Sequence, residues 1–210
     1  MEEAPIGTRK PRLDAERNRS HILDVAEQYF SEQGVAGSMD AIAKRAGIGP
    51  GTLYRHFPNR EALLAALLQA RNEALEGRRT AIEHEVSDAT EALALWLDAL
   101  IEWVTAFDGL PEPLRAALSE EGSPLALTCQ GFITTTECFL RAAQEEGAAL
   151  PGVRGRDLFL SALATGWASG AAMADESSAR SLRAMMRSGW ATRASGEAPA
   201  DRPTPESAPE

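Results

Sequence analysis

Between residues 38 and 56, two short stretches with helical spacing are separated by a turn of three residues. This pattern constrains the fold of the chain most strongly. Ser38 has the side chain of an N-cap, and we predict a helix over residues 39–46. Gly47-Ile48-Gly49 forms the turn, and Pro50 stands at the start of a further helix, where proline fits best. Two short helices joined by a tight turn with glycine make a helix-turn-helix, which places its second helix in the major groove of DNA.

The apolar residues of this segment define how its two helices pack. Ile42, Ala43 and Ala46 recur at helical spacing, and Ala43 is small enough for the next helix to cross it closely. Ile48 is expected to fill the turn, and Leu53 to anchor the second helix. The other residues of that helix remain for its exposed side and N-terminus: Pro50, Gly51, Thr52, Tyr54, Arg55 and His56.

Helical spacing dominates the rest of the chain as well, so we predict an all-α fold. A first helix is expected over residues 13–33, with Gly34 ending it in the left-handed conformation that glycine tolerates. Asn59 is expected to cap a long fourth helix over residues 60–78. Six more helices are predicted over residues 80–86, 90–107, 112–119, 124–146, 154–174 and 177–192.

Composition indicates a globular protein rather than a disordered one. The chain has 210 residues, of which 25% are charged and 44% hydrophobic, enough for a sizeable core. Two cysteines do not make a disulfide-stabilised secreted domain. Residues 1–20 are polar throughout and contain no signal peptide, so the cytoplasm is the expected compartment.

The net charge of −10 is distributed unevenly. Residues 1–60 carry 9 Lys and Arg against 8 Asp and Glu, whereas residues 61–210 carry 12 against 23. An acidic protein binds nucleic acid when its basic groups share one face. The large acidic part is then expected to face away from the DNA.

Four motifs in this N-terminal region form a specific combination: Ile22-Leu23-x-x-Ala26, Phe30-x-x-x-Gly34, Met39-x-x-Ile42-Ala43-x-x-Ala46-Gly47-Ile48 and Gly51-Thr52-Leu53-Tyr54-Arg55-His56-Phe57-Pro58-Asn59-Arg60-Glu61-Ala62-Leu63. Through them, residues 13–68 resemble the DNA-binding domain of the TetR/AcrR family of bacterial transcriptional regulators. The resemblance covers about a quarter of the chain. The remainder resembles the family only in its helical character and length.

The resemblance implies an Ω-shaped homodimer and a domain order. A basic, flexible arm over residues 1–12 precedes a helix-turn-helix DNA-binding domain over residues 13–60, followed by a helical ligand-binding and dimerisation domain over residues 61–194. Residues 195–210, rich in Pro, Ala, Ser and Glu, form a predicted disordered tail. The implied function is that of a repressor that an unknown small-molecule effector releases from an inverted-repeat operator in double-stranded DNA, with no cofactor.

By the same resemblance, Thr52 contacts a base edge or a phosphate, and Tyr54 and His56 donate hydrogen bonds to phosphates. Ser38 contacts the DNA backbone at the start of the preceding helix. Arg60, or the backbone N–H groups at the start of the fourth helix, also binds a phosphate.

The chain departs from the family pattern at Gly49-Pro50, where many members carry Ser-Lys. A basic contact is lost there, so base recognition is expected to depend on Thr52, on Arg55 and on apolar contact from Pro50 to thymine methyl groups. Other basic residues are expected to supply the missing charge: Lys44, Arg45 and the arm residues Arg9, Lys10 and Arg12.

Aromatic and sulfur-containing residues cluster beyond position 90, and helices that face each other with such residues can line an apolar ligand pocket. An ordinary core explains any single one of them as well. The predicted lining residues are Trp96, Trp103, Phe107, Cys129, Phe132, Thr136, Phe139 and Trp167. The acidic surplus favours a neutral or cationic ligand.

The last two helices are the predicted dimer interface, because Ala, Ser and Gly in the first allow close approach and the second has an apolar stripe. The predicted interface residues are Leu163, Trp167, Gly170, Leu182, Met186 and Trp190. Residues 158–174 carry no formal charge, but they are too short and too poor in Leu and Ile to span a bilayer. We therefore expect no contact with a membrane.

No catalytic or metal-binding set stands out in the sequence. The three histidines are dispersed, and Cys129 and Cys138 do not have the spacing of a zinc site. No phosphate-binding loop or dinucleotide-binding motif is present. Two alternatives remain: a small-molecule-binding protein whose DNA-binding unit is degenerate, and an enzyme that uses the C-terminal cavity.

Overall fold

The computed structural model describes residues 9–120, 122–171 and 173–192, and within them the chain forms nine α-helices, which confirms the all-α prediction. The helices are α1 (Arg9–Gln33), α2 (Met39–Arg45), α3 (Pro50–His56), α4 (Arg60–Glu85), α5 (Ala89–Val104), α6 (Pro111–Ala117), α7 (Pro124–Glu145), α8 (Gly155–Ser169) and α9 (Glu176–Trp190). Residues 1–8 and the predicted tail over 195–210 lie outside the described residues.

Several predicted helix boundaries are wrong. The helices predicted over residues 60–78 and 80–86 form one helix, α4, and the helix predicted over 90–107 ends at Val104. Helix α1 begins at Arg9, so residues 9–12 of the predicted arm are helical. Helix α4 continues through Gly77 to Glu85, because Arg79 pairs with both Glu76 and Glu83 and offsets the cost of about 1 kcal/mol for a glycine inside a helix. Helix α8 ends at Ser169 instead of residue 174, since the small residues that follow offer few apolar anchors.

The N-terminal unit, α1 to α3, folds around its own apolar cluster. Ile22 and Phe30 of α1, Ile42 of α2 and Leu53 of α3 are fully buried, and Phe57 closes the cluster after α3. Side-chain caps define the ends: Ser38 accepts a hydrogen bond from the N–H of Ala41, and Asn59 one from the N–H of Ala62. Helix α4 leaves this unit and runs into the C-terminal bundle, where α5, α7 and α8 pack together.

A compact aromatic cluster forms the centre of the C-terminal bundle. The ring of Trp96 stacks on Phe139 with 5.6 Å between centroids, and Trp103 meets Phe132 edge-on at 4.9 Å. The indole N–H of Trp96 donates to Thr136 Oγ1 at 2.9 Å. Thr136 in turn donates to the carbonyl of Phe132 at 2.7 Å, so the buried hydroxyl and the indole are both satisfied.

The N-terminal unit joins the bundle at a second place besides α4, which we call the seam. It is the contact of Phe30, Gly34 and Val35 with the loop after α5, residues 107–109. The Val35 N–H donates to the carbonyl of Asp108 at 2.9 Å, and the Phe30 and Phe107 rings meet edge-on at 6.4 Å. Gly34 has φ +70°, and a Cβ there would lie 3.1 Å from the Asp108 carbonyl oxygen, so this position favours glycine.

Helices α7 and α8 approach most closely at Gly155, which gives a first prediction. A Cβ at Gly155 would lie 2.6 Å from the backbone nitrogen of Glu137. We expect Gly155→Ala to lower the free energy of unfolding by about 1–3 kcal/mol in urea denaturation. Gly131→Ala is the matched control, because Gly131 lies in α7 with nothing within 4 Å of the added Cβ. That variant should raise stability by roughly 0.5–1 kcal/mol; equal destabilisation by both would contradict the packing.

The buried hydrogen bond of Trp96 gives a second prediction. Thr136→Val keeps the shape of the side chain but leaves the indole N–H without an acceptor, and should lower the free energy of unfolding by about 1–3 kcal/mol. Thr134→Val is the control, because the Thr134 hydroxyl is exposed and donates only to the carbonyl of Gln130 in its own helix. A Thr136→Val variant as stable as Thr134→Val would show that the Trp96 contact contributes nothing.

Candidate nucleic-acid interface

Burial of Leu53 decides which side of α3 faces outward. Its side chain is fully buried, while the turn before α3 is closed by the Ile48 N–H, which donates to the carbonyl of Ala43 at 3.0 Å. The opposite side and the start of α3 are therefore open to solvent. The structure brings the predicted contact residues of α3 together on this surface, where Thr52 and His56 are half-buried and the others exposed: Pro50, Gly51, Thr52, Tyr54, Arg55 and His56.

Two side chains on this surface are pre-arranged by hydrogen bonds. The Arg55 guanidinium donates to the carbonyl of Gly51 and to Thr52 Oγ1, each at 3.1 Å. Arg55 therefore lies along the helix towards its N-terminus, and the Thr52 hydroxyl keeps its own proton to donate. The Tyr54 side chain is 43% exposed, and its hydroxyl has no hydrogen-bond partner among the described residues. These hydroxyls can serve as donors to phosphate oxygens or base edges.

The basic residues predicted on α2 differ in their surroundings. Lys44 is exposed, and no described residue pairs with it. The Arg45 guanidinium forms two hydrogen bonds to the Glu32 carboxylate, at 2.6 and 2.7 Å, and these bonds hold the pKa of Glu32 below its usual value. An exposed ion pair of this kind exchanges readily, so Arg45 can turn to a phosphate only by leaving Glu32.

Arg60 has a structural role that the sequence did not indicate. Its guanidinium donates to the backbone carbonyls of both Val35 and Gly37 and thereby ties the start of α4 to the turn before α2. The Ser38 N–H donates to the hydroxyl of Tyr29 at 3.3 Å, on the same turn. Phosphate binding by Arg60 stays a prediction.

Two further arginines that contact aromatic rings near the N-terminal unit were not singled out in the sequence. Arg19 lies over the ring of Phe57, 4.6 Å from its centroid, next to the end of α3. Arg71 of α4 lies 5.0 Å from the centroid of Phe107 at the seam. Such cation–π contacts join residues far apart in sequence, and no spacing rule indicates them.

Most of the predicted pocket residues pack against one another. Trp96, Trp103, Phe132, Thr136 and Phe139 are buried in the aromatic cluster and make the contacts given above. Their assignment to a pocket stays a prediction.

The other predicted pocket residues lie elsewhere. Cys129 is also buried, and burial raises the pKa of its thiol to about 12, whereas Cys138 is exposed. Phe107 and Trp167 line a groove of about 530 Å³ beside the seam. We call it the seam groove; it lies between the loop over residues 107–109, the end of α8 and the first half of α9.

The predicted dimer residues divide into two groups. Leu163 and Trp190 are buried within the protomer, and their place in a dimer interface stays a prediction. Trp190 is held there because its carbonyl accepts a hydrogen bond from the N–H of Leu150, next to a bridge between Ala149 and Ala191. The remaining four are at least partly open to solvent: Trp167, Gly170, Leu182 and Met186.

Three further exposed apolar residues lie on α8, on α9 or between these two helices. Leu160 lies on α8 with Trp167, Met173 lies between α8 and α9, and Met185 lies on α9.

None of the helices in the described parts of the chain combines the length and the hydrophobicity that a membrane span requires. The same parts contain no group of three or more His, Cys, Asp or Glu side chains arranged to hold a metal ion.

Comparison with known proteins agrees with this architecture. Residues 22–67 match the family model described as bacterial regulatory proteins, tetR family, and residues 88–192 match the C-terminal domain of SbtR-like transcriptional regulators. The HTH-type transcriptional regulator UidR of Escherichia coli is 34% identical over 150 residues, which cover 67% of this chain and 73% of UidR.

Solved structures give the same result. The TetR transcriptional regulator SCO0520 from Streptomyces coelicolor is 30% identical, with a TM-score of 0.54 over 84% of this chain and 99% of that one. AibR, solved in complex with isovaleryl coenzyme A and operator DNA, is 19% identical and shares the fold, with a TM-score of 0.55 over 80% of this chain and 97% of that one. The chain belongs to the TetR family of bacterial transcriptional regulators.

Proposed function

We propose that this regulator is a homodimeric repressor that binds an inverted-repeat operator and leaves it when a small molecule binds the C-terminal bundle. The observation that carries the proposal is the exposed surface of α3, where Thr52, Tyr54 and Arg55 present donors on a helix held by Leu53. A recognition helix of this kind enters the major groove with its N-terminal part.

DNA recognition is assigned to three kinds of contact. Tyr54, His56 and Ser38 bind phosphates and fix the register of the protein on the duplex. Thr52 and Arg55 reach base edges, and Pro50 and Gly51 let the start of α3 approach the groove closely. Lys44 adds charge beside the groove, and Arg45 adds more after it releases Glu32.

The dimer is proposed to form through α8 and α9, where Leu160 and Met185 are exposed large apolar side chains. A two-fold axis through these helices brings together the same patch from each subunit. Two α3 helices would then meet successive major-groove faces about 34 Å apart, or at a somewhat larger separation.

Release is proposed to follow from the differential affinity of an effector for two arrangements of the dimer. The seam supports this route, because the Val35–Asp108 hydrogen bond joins the N-terminal unit to the bundle in addition to α4. AibR shows that this fold is found with both a small molecule and operator DNA bound.

A degenerate DNA-binding unit is the competing function, suggested by Pro50 in place of a basic residue. A functional DNA-binding unit and a degenerate one differ in how strongly salt weakens their binding to DNA. A regulator should retain particular duplexes from a pool of fragmented genomic DNA. Its affinity for such a duplex should fall steeply as the salt concentration rises, because phosphate contacts release counterions. Fluorescence anisotropy at several salt concentrations measures this dependence; weak binding without sequence preference would contradict the proposal.

Removal of hydroxyl donors on α3 tests the assigned contacts. We expect Tyr54→Phe and Thr52→Ala each to weaken binding of the retained duplex about 10- to 100-fold, the range of a hydrogen bond to a charged group. Thr80→Ala is the matched control, because Thr80 is exposed on α4 and donates only to the carbonyl of Glu76. Sedimentation should show unchanged dimers for all three variants. Loss of the dimer in Tyr54→Phe or Thr52→Ala, or unchanged DNA affinity, would overturn the assignment.

Charge placed on the α8 surface tests the dimer. Leu160→Glu should yield monomers in analytical ultracentrifugation, because an isolated carboxylate is costly to bury in an apolar interface. Leu127→Glu is the control, since Leu127 is 83% exposed on α7, outside the proposed interface. Dimers that withstand Leu160→Glu, or are lost with Leu127→Glu, would place the interface elsewhere.

A further inference from the structure

The seam groove has the size and walls of a small-molecule site. Its volume of about 530 Å³ lies within the range of pockets that hold drug-sized ligands, roughly 300–1,000 Å³. Ile101 and Phe107, both almost fully buried, form the apolar floor of the groove, and the exposed Trp167 forms a wall. Trp167 is 66% exposed, an unusual state for an indole that has an apolar surface beside it.

The uncompensated charge of the groove is negative. Neither carboxylate oxygen of Asp108 has a hydrogen-bond or ion-pair partner among the described residues. Arg183 lines the opposite wall, but its guanidinium lies 3.3 Å from the Asp98 carboxylate. Arg71, on the far side of Phe107, lies 3.6 Å from the Glu27 carboxylate. Both nearby cations therefore have carboxylate partners of their own, whereas Asp108 does not.

We propose that the seam groove binds a small organic cation with an aromatic or aliphatic body. Asp108 would pair with the positive charge, and the exposed ring of Trp167 would cover the body and add cation–π attraction. The surplus of acidic residues over positions 61–210 attracts cations to this part of the protein. The aromatic cluster around Trp96 is not part of this site.

The groove also lies against the connection to the N-terminal unit. Phe107, Asp108 and Gly109 line the groove, and the same loop accepts the Val35 N–H and packs against Phe30. A ligand that supports this loop from its open side should restrict its motion and that of the turn bonded to it. This inference rests on the proposed function where it identifies the groove as the effector site.

The charge preference is tested with two ions of matched shape and opposite charge, tetraphenylphosphonium and tetraphenylborate. Calorimetric titration of the full chain should show phosphonium binding at least tenfold tighter than borate binding. Asp108→Asn should weaken phosphonium binding about tenfold and should not weaken borate binding, whereas Glu145→Gln, an exposed carboxylate at the far end of α7, should change neither. Equal binding of the two ions, or no effect of Asp108→Asn, would overturn the proposal.

Transmission to the N-terminal unit is tested by amide hydrogen exchange. Saturation with tetraphenylphosphonium should slow exchange of the Val35 amide about tenfold, because the loop that accepts its hydrogen bond is then supported from both sides. The Leu150 amide is the internal control, since it is bonded to the Trp190 carbonyl away from the groove. Exchange rates that change equally at both amides, or at neither, would overturn the transmission.

Both measurements are made without DNA, so they separate this inference from the proposed function. A third measurement uses a duplex that the chain retains from genomic DNA. Tetraphenylphosphonium should lower the affinity of the wild-type chain for this duplex about tenfold, and that of the Asp108→Asn variant much less. Unchanged duplex affinity in the wild-type chain would overturn the assignment of the groove as the effector site. If no duplex is bound at all, the proposed function fails, and the cation site is judged by calorimetry alone.

Discussion

The turn between α1 and α2 is the element on which the position of the DNA-binding unit depends. From one side the carbonyl of Asp108 accepts the Val35 N–H, and from the other the Arg60 guanidinium donates to the carbonyls of Val35 and Gly37. These bonds link the loop after α5, the turn and the start of α4. A change in the loop therefore reaches this turn by direct contact, and α2 begins where the turn ends. Gly34 allows the turn to lie close to the loop after α5, since a residue with a side chain would be strained at φ +70° and would crowd Asp108.

The surface of α3 shows how an acidic protein can still bind DNA. Its donors are two hydroxyl side chains, one guanidinium and the backbone N–H of Gly51, and their direction is set by the burial of Leu53. Arg55 is held by Thr52, and Arg45 is paired with Glu32. Local geometry rather than total charge decides the contacts, because exposed charges far from the duplex are screened.

The sequence predicted local structure well wherever the signal was local. Ser38 and Asn59 cap the helices they were expected to cap, and α3 has the predicted bounds, because capping side chains and proline act within one helical turn. The fold class followed from helical spacing, and the family from the motifs between residues 22 and 63. Helix α4 passes through Gly77 because ion pairs and burial further along the helix outweigh one glycine.

Tertiary roles were less accessible from the sequence. The spacing of Trp96, Trp103 and Phe107 shows which side of the helix predicted over residues 90–107 is apolar, but it does not show whether side chains or a ligand fill the space opposite. In the structure the first two are packed by rings from α7, and only Phe107 borders an open groove. Trp190 fits an apolar stripe on α9 and yet belongs to the protomer interior. The motif position of Arg60 fits a phosphate contact and a contact with backbone carbonyls equally well, so the sequence alone does not distinguish the two.

The central claim is that two identical DNA-binding units act as one dimer on a symmetric site. Selection of binding sites from a random duplex pool by the purified protein tests it most directly. The account predicts an enriched inverted repeat whose half-sites lie about one helical turn of DNA apart or somewhat further. Recovery of no enriched sequence, or of a single unpaired half-site, would contradict it.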